Sequence, residues 1–450
     1  MQKLVIKRQF MGVKPCEIEL NRFLLLIGEQ ASGKSTIAKL IFFFETLPDL
    51  IYDTTVKAYS KSAPLDYQKS IYSIIQNGFL ETFGLVAQNE NFHLEFYFQK
   101  TTFLKIFQGQ NTPMYAYFEG ETLQNQLISA CKYYVEAERL DAKIDEITLR
   151  QQFKNKLDVI FNRVNAEHTY FIAGRNTIVA FPEIFETVVG KELEKLLEDE
   201  IKEQDFEKRQ RLGNERLLYE FVEWSKGVRT FFKNNGQSFE RVAKNLTHQN
   251  ALFSIQKITN TILKGTYESV QSGEQIKLND SNLPIPLKDA SSGQQEVLRL
   301  LQGIFLSIGL QNRKEFFVVE EPEAHLYPLA QKELIHAFAV FLNTIQEGKM
   351  IVTTHSPYIL ACINILLFAN YVSNEIGQHN FNGSISTIPR AFWLDASIFN
   401  AYSLGQNGDY CVDIKDPVTG LIDQNYLDAI SEQLGLQQQE LYNLLTEKML

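Results

Sequence analysis

Residues 23–44 read FLLLIGEQASGKSTIAKLIFFF, and this stretch decides the fold. Phe23–Ile27 is a short, continuous apolar run of the kind that fills a buried parallel strand. The apolar-rich stretch from Ser35 to Phe44 is long enough for a helix. Between them, Gly28, Glu29, Gln30, Ala31, Ser32, Gly33, Lys34 and Ser35, with Thr36 following, fit the phosphate-loop pattern G-x-x-x-x-G-K-[ST] in its required strand–turn–helix setting. Glycines let the backbone curl so that successive N–H groups face a phosphate chain, and the helix beginning there adds partial positive charge. Lys34 then reaches the β- and γ-phosphates, and the Ser35 hydroxyl ligates Mg²⁺. The plain alternative is a glycine turn ahead of an ordinary core helix.

Working outward, the 450 residues allow two or three domains. The composition, 44% hydrophobic and 22% charged, is that of a soluble chain. A net charge of −10 excludes blanket adhesion to nucleic acid, so a DNA role has to be local. No apolar run reaches the length of about 18 residues that a membrane span needs, and the first residues lack a signal-peptide core. A cytoplasmic protein is expected. Cys16, Cys131, Cys362 and Cys411 lie far apart without a C-x-x-C pair and read as reduced thiols.

Upstream of the loop, Leu4–Phe10 and Cys16–Leu20 read as an antiparallel pair, which points to a mixed sheet. Downstream, 47–91 is irregular and aromatic-rich, and 91–108 alternates as the strands of a meander. Gln88 is either a nucleotide sensor acting through Mg²⁺ or polar surface. Residues 121–163 and 186–232 are helical in character. Within the latter, Leu193, Leu197 and Ile201 put one apolar face on a heavily charged stretch (191–216) that reads as a short projecting arm or as a solvated helix. Tyr170–Ala173 reads as a buried strand followed by Arg175, which is structural or contacts the γ-phosphate or a partner.

Three motifs follow in the C-terminal third. Ser291-Ser292-Gly293-Gln294 opens an apolar-periodic helix and offers hydroxyl and N–H groups to an anion, although as an isolated motif it is an N-cap. Phe316–Val319 is a buried strand ending in Glu320 and Glu321, where an α/β sheet presents its ligands. Glu320 suits the Mg²⁺ shell, and Glu321 suits a base that orients and partly deprotonates water. Met350–Thr354 is another buried strand, ending in His355; the other six histidines read as ordinary core or surface residues.

Phosphate loop, Ser-Gly-Gln segment, strand with two acids and strand with histidine stand in the order of the ABC-type ATPases, which this chain resembles. Residues 320–326, Glu-Glu-Pro-Glu-Ala-His-Leu, resemble the acidic motif shared by OLD-type ATPases and relatives of the SMC and RecF ATPases. The resemblance implies that 291–294 is the signature motif, that Ala324–Tyr327 faces a partner subunit, and that His355 is the switch histidine. Tyr327 departs from the family's usual Asp or His. The implied fold is α/β: an ABC-type P-loop ATPase head with a mixed sheet, a helical insertion forming a short arm, and a small C-terminal extension. The divisions are 1–120 (N-terminal lobe), 121–250 (mainly helical insertion), 251–370 (C-terminal lobe) and 371–450 (extension).

The resemblance further implies a composite site in a head-to-tail homodimer. Lys34, Ser35, Glu320, Glu321 and His355 then serve one ATP with Mg²⁺, and Ser291 and Gly293, with Ser292 and Gln294, serve the neighbour's. The long span between Lys34 and Ser291 disfavours a transporter head. The run after His355 is too short for the nuclease domain of an OLD-type enzyme, and Asp409, Asp413 and Asp416 do not form its Asp-x-Asp pair. Two short helices, about 424–434 and 437–448, close the chain. A head lacking its own effector fits a sensor or regulatory ATPase that holds a separately encoded effector, a nuclease or toxin. It resembles the ATPase subunits of antiphage defence pairs of the PARIS or Septu kind. A DNA-repair or DNA-clamping ATPase of RecF or SMC type is the alternative, and a slow nucleotide-dependent dimer is the bland one.

Overall fold

The computed structural model describes residues 2–59, 67–84, 91–110, 112–119, 121–139, 145–163, 166–187, 206–281, 283–310, 314–376, 388–405 and 409–423. Gln88, the arm residues Leu193, Leu197 and Ile201, the turn at Asn407-Gly408 and the two C-terminal helices lie outside them.

A six-stranded sheet carries the site, in the order β14 (Cys411–Asp413), β13 (Phe399–Leu404), β3 (Phe23–Gly28), β12 (Lys349–Thr354), β11 (Glu315–Glu320) and β7 (Glu167–Phe171). Every pairing is parallel except β13 with β14. These strands read as unbroken apolar runs because both faces are covered. Period-2 alternation divides their side chains: Phe23, Leu25, Phe317, Val319, Met350 and Val352 enter one core, and Leu24, Leu26, Phe316, Val318 and Ile351 the other.

The first core lies under the helix expected to carry the signature (Ser292–Gly309, called the signature helix below) and its neighbours Gln249–Leu263 and Pro328–Thr344. The second lies between the central sheet, the phosphate-loop helix Lys34–Tyr59, and a five-stranded antiparallel sheet. That sheet runs β2 (Cys16–Glu19), β1 (Lys3–Arg8), β4 (Phe92–Gln99), β5 (Thr102–Gln108), β6 (Tyr115–Glu119). The expected N-terminal pair and meander are thus one sheet, separate from the strands that build the site.

Several features depart from the sequence reading. The phosphate-loop helix runs to Tyr59 through Pro48, and a second helix, Tyr67–Phe83, occupies part of the stretch read as irregular. Burial of Phe43, Phe44, Leu47 and Ile51 outweighs the helix-breaking tendency of the proline. A small sheet, β8 (Gly265–Val270), β9 (Gly273–Leu278) and β10 (Pro284–Pro286), precedes the signature. The strand expected at Tyr170–Ala173 is β7 and joins the central sheet, and β13 and β14 bring in residues of the stretch read as a C-terminal extension. Finally, Pro357–Glu375 is long and apolar enough, by length and composition, to cross a membrane, contrary to the expectation that no such run exists. Within this fold Ile359, Leu360, Ile363, Leu366 and Leu367 of that helix insert into the first core.

Candidate functional site

Parallel register sets the strand ends at one level, since Glu320 pairs with Thr353 and Thr353 with Leu26. Gly28, Thr354 and Glu320 therefore finish on the same edge of the sheet, where open α/β sheets bind ligands.

At the first of these ends the chain curls. Gly33 has φ +90° and Ala31 φ +61°, conformations that a phosphate-cradling loop needs and that most side chains resist. A Cβ on Gly28 would stand 2.3 Å from the Leu404 carbonyl oxygen. Lys34 is folded into the loop, its Nζ donating to the carbonyls of Gly28 (2.8 Å) and Glu29 (2.7 Å) and to Ser32 Oγ (3.3 Å). Burial lowers the pKa of this ammonium, with the nearby carboxylates of Glu321 and Glu323 opposing the effect. Glu29, Gln30, Ala31 and Ser35 are exposed around it. The arrangement has the form of an anion cradle.

At the second end, Lys34 Nζ stands 3.4 Å from His355 Nδ1, and His355 Nε2 stands 3.0 Å from Glu321 Oε1. An ammonium has only hydrogens to give, so Nδ1 must accept and Nε2 must carry the proton that Glu321 receives. Glu321 itself sits at φ +43°, its N–H donating to the Thr353 carbonyl (2.9 Å). That strained turn moves its side chain out of the strand and toward the histidine. Glu323 was not singled out in the sequence. It is the clamp between the two loops: its Oε1 accepts from Thr354 Oγ1 (2.6 Å) and from the His355 N–H (2.7 Å). The E-x-x-E spacing from Glu320 to Glu323 was the available signal.

Glu320 is buried at the third end. Its carboxylate accepts from the Tyr170 hydroxyl (2.7 Å) and the Ala173 N–H (3.2 Å). A hydroxyl at Ser35 and a carboxylate at Glu320 are hard oxygen donors that suit Mg²⁺, which holds several waters and substrate phosphates instead of an all-protein cage. Among the described residues no cluster of three or more His, Cys, Asp or Glu side chains is gathered to bind a metal.

The signature helix starts behind these loops. Ser291 is its N-cap in a full capping box: Ser291 Oγ accepts from the Gln294 N–H (3.4 Å), and Gln294 Oε1 accepts from the Ser291 N–H (3.0 Å). Gly293 is fixed by packing, since a Cβ there would lie 2.5 Å from the His325 carbonyl oxygen. The Ser291 side chain bonds to Gln294 and its carbonyl accepts from the Gln295 N–H (3.0 Å); Ser291 is exposed, with Ser292 half-buried. The signature thus abuts the acidic loop of its own chain and leaves its N-terminus open to the surface. Tyr327 caps the next helix and is 75% exposed.

Of the two readings of Arg175, its surroundings fit the structural one. It is fully buried, with Nε donating to the Glu296 carbonyl (3.0 Å) and Nη1 to the carbonyls of Ile172 (3.1 Å) and Glu320 (3.0 Å). Nη1 also pairs with Glu296 Oε1 at 3.2 Å, and Glu296 Oε2 accepts from the Asn176 N–H (2.7 Å). One guanidinium therefore ties the first turns of the signature helix to the residue that precedes Glu321. Its pKa is lowered by burial, against the pull of Glu296.

Three solved structures are similar to this chain at low identity. A SmcHead bound to the C-winged helix domain of ScpA is 11% identical with a TM-score of 0.41, covering 92% of this chain and 96% of that one. The SMC head domain from Thermotoga maritima is 9% identical, with a TM-score of 0.35 and coverage of 92% and 98%. An Smc head domain with an extended coiled coil, bound to the C-terminal domain of ScpA derived from Pyrococcus furiosus, is 13% identical, with a TM-score of 0.38 and coverage of 96% and 100%. Residues 3–360, from the first strand through the histidine loop, match the family model described as AAA ATPase domain. With its phosphate loop, acidic strand end and α/β head in place, the chain belongs to the AAA ATPase domain family.

Proposed function

We propose that this protein is a cytoplasmic, Mg²⁺-dependent ATPase of ABC type whose chains pair head to tail around ATP, acting as the sensor or regulatory subunit of a separately encoded effector in antiphage defence. The observation that carries the reading is the contact chain Lys34–His355–Glu321, 3.4 and 3.0 Å long, across the ends of adjacent strands.

Lys34 releases its loop carbonyls to hold the β- and γ-phosphates. Ser35 and Glu320 would hold Mg²⁺, whose charge offsets that of the phosphates. Glu321, oriented by His355, takes a proton from the attacking water. The exposed N-terminus at Ser291 is available to a second copy's nucleotide. Tyr327 and Tyr358, 75% and 55% exposed, stand at the starts of the helices after the acidic and histidine loops and border the same edge. The effector role rests on the resemblance to two-gene defence ATPases.

The test is Glu321→Gln. This variant should bind ATP, hydrolyse it at least about 100-fold more slowly, and accumulate as an ATP-bound dimer in size-exclusion chromatography with light scattering. Wild-type turnover by this variant would remove Glu321 as the base, and an ATP-bound monomer would remove the composite site.

A further inference from the structure

The matched family segment ends at residue 360, yet the phosphate loop is braced from outside it. β13 runs parallel to β3 along its whole length, from Phe399 beside Phe23 to Leu404 beside Gly28, so the end of β13 reaches the level of the loop. The contact there is backbone to backbone. The Leu404 carbonyl oxygen would be 2.3 Å from a Cβ on Gly28, and a Cβ on Gly405 would lie 2.9 Å from Ser32 Cβ. Gly405, at φ +88°, then turns the chain, and its N–H donates to the Tyr410 carbonyl (2.8 Å). This bond returns the chain into β14 and brings Tyr410 over the loop.

Tyr410 donates its hydroxyl to the Ser32 carbonyl oxygen at 2.5 Å. The same hydroxyl would be 2.6 Å from a Cβ on Gly33, and Val13 Cγ2 closes the other side at 2.7 Å, so no side chain fits between the loop and its brace. Burial raises the phenol pKa, which keeps the proton on the oxygen and makes Tyr410 a donor here. In a planar trans peptide the carbonyl and the following N–H point to opposite sides. A Ser32 carbonyl held by Tyr410 therefore turns the Gly33 N–H away from Tyr410.

We propose that Tyr410 is a positioning residue of the phosphate loop, its hydroxyl fixing the Ser32–Gly33 peptide so that the Gly33 N–H is presented to a nucleotide phosphate. The proposal rests on the reading of Gly28–Ser35 as the nucleotide site. Leu404, Gly405 and Tyr410, which lie outside the matched family segment, thereby become part of that site.

Tyr410→Phe removes the hydroxyl and keeps the ring. In the full chain, ADP and ATP binding measured by calorimetry should weaken about tenfold, the effect of one lost hydrogen bond to a buried group. In the ligand-free protein, hydrogen–deuterium exchange should quicken in a peptide spanning 28–36 while β12 stays protected. A merely structural tyrosine would instead lower protection throughout the sheet. Wild-type affinity in Y410F overturns the proposal, and so does weaker binding with unchanged exchange at 28–36. One measurement needs no variant: ADP should slow exchange in the wild-type peptide containing Tyr410, and no change there also overturns it. If the wild-type protein binds neither ADP nor ATP, the nucleotide reading fails, whereas the ligand-free comparison still decides whether Tyr410 holds the loop.

Discussion

His355 touches both Lys34 and Glu321, at 3.4 Å through Nδ1 and at 3.0 Å through Nε2, so one imidazole joins the proposed phosphate-binding cation to the proposed base. Its tautomer is fixed by the lysine, which can only donate. Each end of this chain is set by a different strand, and Glu323 locks the two loops together.

Replacing His355 with Ala should lower ATP turnover about 10- to 100-fold, because Glu321 loses the N–H that orients it. The Kd for ATP should change far less. Steady-state kinetics beside ATP-binding calorimetry checks the split, and a parallel loss of affinity would make His355 a binding residue instead.

Head-to-tail pairing predicts complementation. Lys34→Ala and Ser291→Arg should each abolish turnover alone, one by losing the phosphate ligand and the other by blocking the neighbour's site. Mixed in equal amounts, they can form a dimer with one intact composite site, so a fraction of wild-type activity should return. No recovery on mixing would mean that both residues serve the same site within one chain. The same assay with added DNA weighs the clamp alternative: hydrolysis stimulated by DNA and lost steeply with salt favours it over an effector gate.

Arg175→Met should destabilise the fold by about 3–5 kcal/mol, because Glu296 is left buried without its cation. The double variant with Glu296→Gln should regain part of that loss. Urea unfolding of the two singles and the double gives the coupling energy, and additive losses would show that the pair does not act together.

His168 is pushed down to about 4, chiefly by burial, with Asp49 pulling the other way. Below its ordinary value of 6.5 the unfolded chain binds a proton that the folded chain refuses, so the unfolded state gains protons and stability falls as pH drops from about 6.5 to about 4. Above 6.5 this residue adds no pH dependence. In His168→Phe that part of the acid sensitivity should vanish from a series of denaturation curves. An unchanged slope between those pH values would assign it to other groups.

The sequence by itself determined the phosphate loop, the two apolar strands with their terminal acids and histidine, and the helix that opens at Ser291. Each is local: apolar runs, glycines at positive φ and a capping box are properties of neighbouring residues, and the short range of those forces leaves them readable in order. The extent of the helix through Pro48, the burial of Arg175 against Glu296, the Glu323 clamp and the Tyr410 brace were decided only in the tertiary structure. They join residues separated by tens to hundreds of positions, and their energies depend on burial, which a sequence does not state. Arg175 shows the difference: past a strand end it reads as either a structural residue or a ligand contact, and only the fold shows the helix Ser292–Gly309 closing over it and making it a link between loops.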